Sequence, residues 1–263
     1  MRHLAVHRCI AVALLAAGAL PAVQAQEAAQ DGRWRFQATP YVWMSGLEGQ
    51  VRPFRSAPAA DVDKSFAELF ESLDAAAFVT ATARRDRFVL QADLTHASTS
   101  DSAALPMGLS ARAKVRQTSA TLTAGYAFAP TEAAGVDLMA GLRHWDVSTA
   151  VNVTGIGSAR SKFSFVDPVI AARWRQAVAP RWSTLVYADA GGFGGFGVGS
   201  DATWQVLALA NYQARDNLFL SMGYRHLSVD YREHGRRLDV DLYGPMLGLT
   251  FLFGKGHRAA ALP

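Results

Sequence analysis

The chain has 263 residues, half of them apolar, with 26 Lys+Arg against 22 Asp+Glu and a formal net charge of +4. Its one cysteine, Cys9, lies in an N-terminal leader, so an exported chain without it has no thiol and no disulfide framework. Arg2 and Arg8 supply half of the charge excess with no acid beside them, and no nucleic-acid footprint remains, which excludes nucleic acid as an expected partner.

Residues 1–25 read as a cleaved signal peptide. Two arginines precede an apolar run, 10–20, that is too short to span a bilayer. Val23 and Ala25 then place small residues three positions and one position before a cut ahead of Gln26. Beyond the leader no segment resembles a transmembrane helix, and the apolar residues are spread over alternating stretches.

Ten strands are predicted, at 34–46, 75–84, 88–100, 112–128, 136–153, 162–177, 182–193, 202–213, 218–231 and 237–253. Short polar connectors at 84–87, 129–132, 179–181 and 215–217 alternate with mostly longer links at 47–74, 101–111, 154–161, 194–201 and 232–236. Short turns on one side and longer loops on the other are the pattern of an all-β, antiparallel, up-and-down transmembrane barrel. A soluble sandwich shares the rhythm, but most of these strands have the length of a tilted bilayer crossing. Phe88, Leu90, Ala92 and Leu94 share one face, as do Leu218, Leu220, Met222 and Tyr224, with Gln91, Asp93, Ser221, Gly223 and Arg225 on the other. The first long link breaks the rhythm. Phe66, Leu69, Phe70 and Leu73 have helical spacing, and Ser65 with Glu68 forms a capping box, which predicts a short helix over 63–73 with its apolar stripe toward the barrel.

Charges at mid-membrane depth cost about 2–4 kcal/mol on the lipid face when they are Arg or Lys, so the alternation aims them inward. Asp93, Arg143, Arg173, Asp189 and Arg225 form the expected lumen network, which either fills a closed barrel or lines a selective channel. The phrase Gly141-Leu142-Arg143-His144 is repeated as Gly223-Tyr224-Arg225-His226. Arg112, Lys114 and Arg116 make a basic stripe near the outer end of the fourth strand, a solvated lip or a contact for lipopolysaccharide phosphates.

His96 and Ser98 share a strand face, similar to the His-x-Ser of outer-membrane lipid A deacylases, but the surrounding residues do not extend that match. Asp230 and His234 lie near the outer rim, where the omptin proteases work, yet the paired acids of that family are missing. The histidines have no metal-ligand spacing, and the glycine-rich run at 191–199 lacks the Lys-Ser/Thr of a phosphate loop. No catalytic residue, metal or cofactor is therefore expected.

The segments Pro40-Tyr41-Val42-Trp43, 62–73, 191–204, Gly223-Tyr224-Arg225 and 243–253 resemble a group of Gram-negative outer-membrane β-barrel proteins similar to the OmpA and OmpW type of small barrel. In the last segment Gly248, Phe251 and Phe253 read as a closing-strand signal for the barrel-assembly machinery, although Met246 stands where a polar residue is usual. The resemblance implies a barrel over 26–253, a basic periplasmic tail at 254–263, and outer-membrane lipid as the surrounding partner. Two function classes stay open. One is a structural or small-solute, porin-like barrel; the other is an enzyme acting on lipid or peptide at the outer leaflet.

Overall fold

The structure, a computed structural model, describes residues 32–253 apart from 56–57, 105–108, 129, 132 and 195–198. The leader, its cleavage site and the basic tail lie outside the described residues. In chain order the elements are β1 (Trp34–Trp43), β2 (Gly46–Arg52), β3 (Ala60–Lys64), α1 (Phe66–Glu71), β4 (Leu73–Arg85), β5 (Phe88–Ala104), β6 (Ser110–Phe128), β7 (Ala134–Val153), β8 (Gly157–Ala179), β9 (Trp182–Gly191), β10 (Ala202–Arg215), β11 (Leu218–Glu233) and β12 (Arg236–Phe253).

Ten of these close a barrel. β4 to β12 pair with their neighbours in sequence, all antiparallel, and β1 joins β4 to β12, with Phe36 opposite Phe253 and Tyr41 opposite Gly248. The seam is possible because β12 is long enough to serve two partners. Its last part, 246–253, pairs with β1, and its first part, 237–243, pairs with β2. β3 then folds back on β2. The first long link is thus partly wall: the ten predicted strands become ten barrel strands plus the β2–β3 hairpin.

α1 also differs from its expected extent. It covers Phe66–Glu71 rather than 63–73, because Asp63 and Lys64 pair in β3 and Leu73 starts β4. The capping box is formed: Ser65 accepts from the Glu68 N–H while the Glu68 carboxylate accepts from the Ser65 N–H at 2.8 Å. The apolar stripe does not face the barrel. No residue of α1 is buried and Phe70 is 62% exposed; it is the β2–β3 hairpin before the helix, and not the helix, that joins the wall through β12.

The far links are also tighter than expected, because β5, β6 and β8 run for 17, 19 and 23 residues and extend into the segments 101–111 and 154–161 predicted as loops. Glu233 pairs with Arg236 across the two-residue turn His234-Gly235. Both turn residues have positive φ, 51° and 75°, as a type I′ hairpin turn requires. A crossing takes about 9–11 residues, so these strands carry the wall well beyond a bilayer.

On the outward face of β6, β7 and β8 the register stacks residues in rows. From the end that holds Trp34 and Phe253 the rows run Phe128–Val136–Trp174, Tyr126–Leu138–Ala172, Ala124–Ala140–Ile170 and Leu122–Leu142–Pro168. The next rows are Ala120–His144–Val166 and then Thr118–Asp146–Ser164. The apolar rows form a belt of the kind that faces lipid in outer-membrane barrels, rimmed by aromatic rings at the terminal end. At the other rim Trp204, His226 and Tyr243 lie side by side, with centroids 4.7 and 5.8 Å apart.

Candidate functional site

The inward residues divide the lumen into three layers. Nearest the terminal end, Asp137 on β7 has no exposed surface and collects three arginines. Arg84 Nη2 donates to its Oδ2 at 2.7 Å, Arg173 Nε at 2.9 Å, and Arg175 Nε lies 3.7 Å away. Arg173 also donates from Nη1 to Thr82 at 3.1 Å and to Gln91 at 3.0 Å.

The middle layer crosses the barrel. Arg143 donates to Thr121, Thr203 and the Asp189 carboxylate, the last at 2.6 Å. Gln205 Nε2 donates to the same Asp189 oxygen at 2.7 Å, and its Oε1 accepts from Arg225 Nε at 3.0 Å. Arg225 then donates to the Tyr41 hydroxyl at 2.6 Å and to Asp93 at 3.1 Å, with its guanidinium 4.7 Å from the centre of the Trp43 ring. Tyr41 and Thr80 both donate to Asp93. One unbroken chain of charge-assisted bonds therefore links β7 to β9, β10, β11, β5, β4 and β1. Each guanidinium is buried and bonded through all three nitrogens, which is the condition for keeping such a charge out of water.

Beyond this layer, toward the far end, the lumen is lined by apolar and aromatic side chains. Trp145, Phe163, Phe165 and Tyr231 stack in a run, with centroids 4.2 Å apart for Phe165 and Tyr231, and Leu227, Val229 and Val240 pack around them. Asp167 sits at the level of Arg143 with no exposed surface. It accepts the Ser200 N–H at 2.6 Å and so pins the link between β9 and β10. Gly199 makes this approach possible: its φ is +86° and a Cβ there would lie 2.5 Å from the Asp167 carboxylate.

Between the two polar layers lies a cavity of about 60 Å³ lined by Thr39, Gln91, Asp93, Arg173, Tyr187 and Arg225, among others. Ligand pockets run to roughly 300–1,000 Å³, so this space suits water and not a substrate.

The expected lumen residues thus all point inward, but they form two groups. Asp93, Arg143, Asp189 and Arg225 share the middle layer, and Arg173 belongs to the layer around Asp137. Asp137, Arg84, Arg175, Gln205 and Tyr41 were not singled out from the sequence, although Asp137 has the inward phase of Val136-Asp137-Leu138. Of the closing-strand residues, Phe251 and Phe253 face outward, while Gly248 lies inward against Thr39 and Tyr41.

His96 and Ser98 lie on the outward face, above the belt. They are not wired as a nucleophile and base. His96 Nδ1 bonds the Thr118 hydroxyl at 2.8 Å, and Ser98 donates to Asp74 at 3.2 Å. Hydrogen bonds from Lys114 and Ser100 hold the Asp74 carboxyl below the usual carboxylate range, which makes it a poor base. At the rim, Asp230 is bridged by Arg232 at 2.6 Å and His234 lies 3.1 Å from Glu233, so neither residue joins the other in a site. No cluster with metal-ligand character occurs among the described residues.

Among solved structures the chain is similar to the outer membrane protease OmpT from Escherichia coli, with 11% identity and a TM-score of 0.54 over 86% of this chain and 99% of that one. It is also similar to the attachment invasion locus protein Ail of Yersinia pestis, with 11% identity and a TM-score of 0.34 over 84% of this chain and 98% of that one. The translocator domain of the autotransporter NalP from Neisseria meningitidis matches at 10% identity and a TM-score of 0.40, over 83% and 88% of the two chains. No family model and no curated protein matches the sequence. The likeness to OmpT shows the fold: a small, closed barrel of the outer-membrane kind.

Proposed function

We propose that the protein is an integral outer-membrane barrel whose lumen is sealed by its own side chains and whose role is structural, exercised through its outer surface and far rim. The observation that carries this is the filled interior. Two arginine-centred layers and an apolar aromatic layer lie in series, and the space between the polar layers is about 60 Å³. The apolar belt supports the bilayer placement, and the short turns beside the termini support a periplasmic terminal end.

A conducting, porin-like lumen would need an unbroken wet path, which the stacked Phe163, Phe165 and Tyr231 interrupt. The reading of an enzyme at the outer leaflet has the outward position of His96 and Ser98 in its favour and their hydrogen bonding against it.

Planar-bilayer recording of the refolded protein tests the proposal. The wild type is expected to insert, to show heat-modifiable migration when left unboiled, and to give no steady steps of porin size. Steady steps from the wild type would overturn the sealed lumen. Recovery of the protein in the soluble periplasmic fraction would overturn the membrane placement.

A further inference from the structure

The two rows above the polar Thr118–Asp146–Ser164 row are unlike any below them. At the level of Ser148 the register sets Arg116 on one side and Lys162 on the other. At the level of Ala150 it sets Lys114 and Arg160 in the same way. All four cations point outward, on strands that flank β7, so the small side chains of Ser148 and Ala150 floor a trough with basic walls. Strands next but one are about 10 Å apart, and long Arg and Lys side chains on both walls can close on one phosphate from two sides. Lys162 is paired with Asp146 at 3.1 Å and Lys114 with Asp74 at 2.8 Å, which leaves Arg116 and Arg160 without a carboxylate partner among the described residues.

The trough stands directly over apolar surface. On β6 the same outward column continues down through Thr118 to Ala120 and Leu122. There, with Val79, Ala81, Ala92 and Leu94, these residues line a shallow groove of about 230 Å³ in the lipid-facing wall. Cations above and a mainly apolar groove below, which Asp93 and Thr121 also line, match a molecule with an anionic head and hydrocarbon tails. A free anion would have no use for the groove, and a nucleic acid none for the belt.

We infer that the outward face of β5 to β8 is a binding site for a phosphorylated glycolipid of the outer leaflet, its phosphate held between Arg116 and Arg160 and one acyl chain lying in the groove on β4 to β6. This rests on the outer-membrane placement proposed above. The lipid supplies what the wall lacks, an anion for two unpaired guanidiniums, and the site in turn fixes the lipid at one position around the barrel.

The probe is bisphosphorylated lipid A, added to the refolded, detergent-solubilised barrel and counted by native mass spectrometry. Heat-modifiable migration of each variant first establishes that the barrel has assembled, which separates failure of the fold or its placement from failure of the site. The wild type is expected to retain lipid A. The double variant Arg116→Gln, Arg160→Gln should retain it at least about tenfold less well, as loss of charge-assisted bonds implies. Arg232→Gln, made on the outer face away from the trough, should behave as wild type. Equal retention by the double variant would overturn the site. Equal binding of dephosphorylated lipid A would overturn the role of the phosphate, and competition by inorganic phosphate at the concentration of the lipid would assign the trough to a free anion instead.

Discussion

Arg143 and Arg225 show how a charged side chain becomes part of a barrel interior. Each lies between an outward apolar residue and an outward histidine, Leu142 and His144 or Tyr224 and His226, so the period of two alone turns it inward. Each then finds one carboxylate and two neutral acceptors. Arg143→Met is expected to destabilise the barrel by about 3–5 kcal/mol, because it removes the ion-pair partner of the buried Asp189 carboxylate. Urea unfolding in lipid vesicles measures this, and the double change Arg143→Met, Asp189→Leu should recover much of the loss. The inward set was legible in the sequence because alternation decides direction. Which acid meets which arginine was not. Arg225 reaches Asp93 and Tyr41 across the lumen, and such pairs depend on how far each strand is staggered, which no local pattern records.

At the scale of elements, long strands were legible and short ones were not. β5 to β12 carry clear alternation, whereas β2 and β3 are 7 and 5 residues long and partly charged, so they read as loop. The capping box correctly announced α1, but the apolar stripe suggested the wrong neighbour, since spacing shows that a face is apolar and not what will cover it. The start of α1 should respond to pH. Hydrogen bonds from Ser65 hold the Glu68 carboxyl below its ordinary range. A depressed pKa contributes stability that is present above the unfolded-chain value and is lost as pH falls through the folded one. Hydrogen exchange of the Leu69 and Ser72 amides, which bond the carbonyls of Ser65 and Glu68, should stay protected at neutral pH and lose protection below the usual carboxylate range. Rates corrected for intrinsic chemistry make the comparison fair, and Ser65→Ala should already show weak protection at neutral pH, with little further fall.

The molecule as a whole is a wall closed by its two ends, and that geometry has a consequence in time. The hydrogen bonds from Arg225 to Tyr41 and Asp93 join positions 184 and 132 residues apart, and both span the β1–β12 seam in the sense of chain order. Bringing such distant segments together costs loop entropy before any bond rewards it. The middle layer must therefore be among the last features to form and among the first to be tested when the barrel opens. Stabilisation gained after the rate-limiting step slows escape and leaves entry unchanged. Arg225→Met should accordingly speed unfolding from lipid vesicles in denaturant while refolding proceeds at the wild-type rate. If refolding slowed instead and unfolding stayed the same, the arginine would be acting early, as a guide to closure. On the expected outcome it is a latch, set only after the last strand has reached the first, and its contribution is how long the protein stays folded.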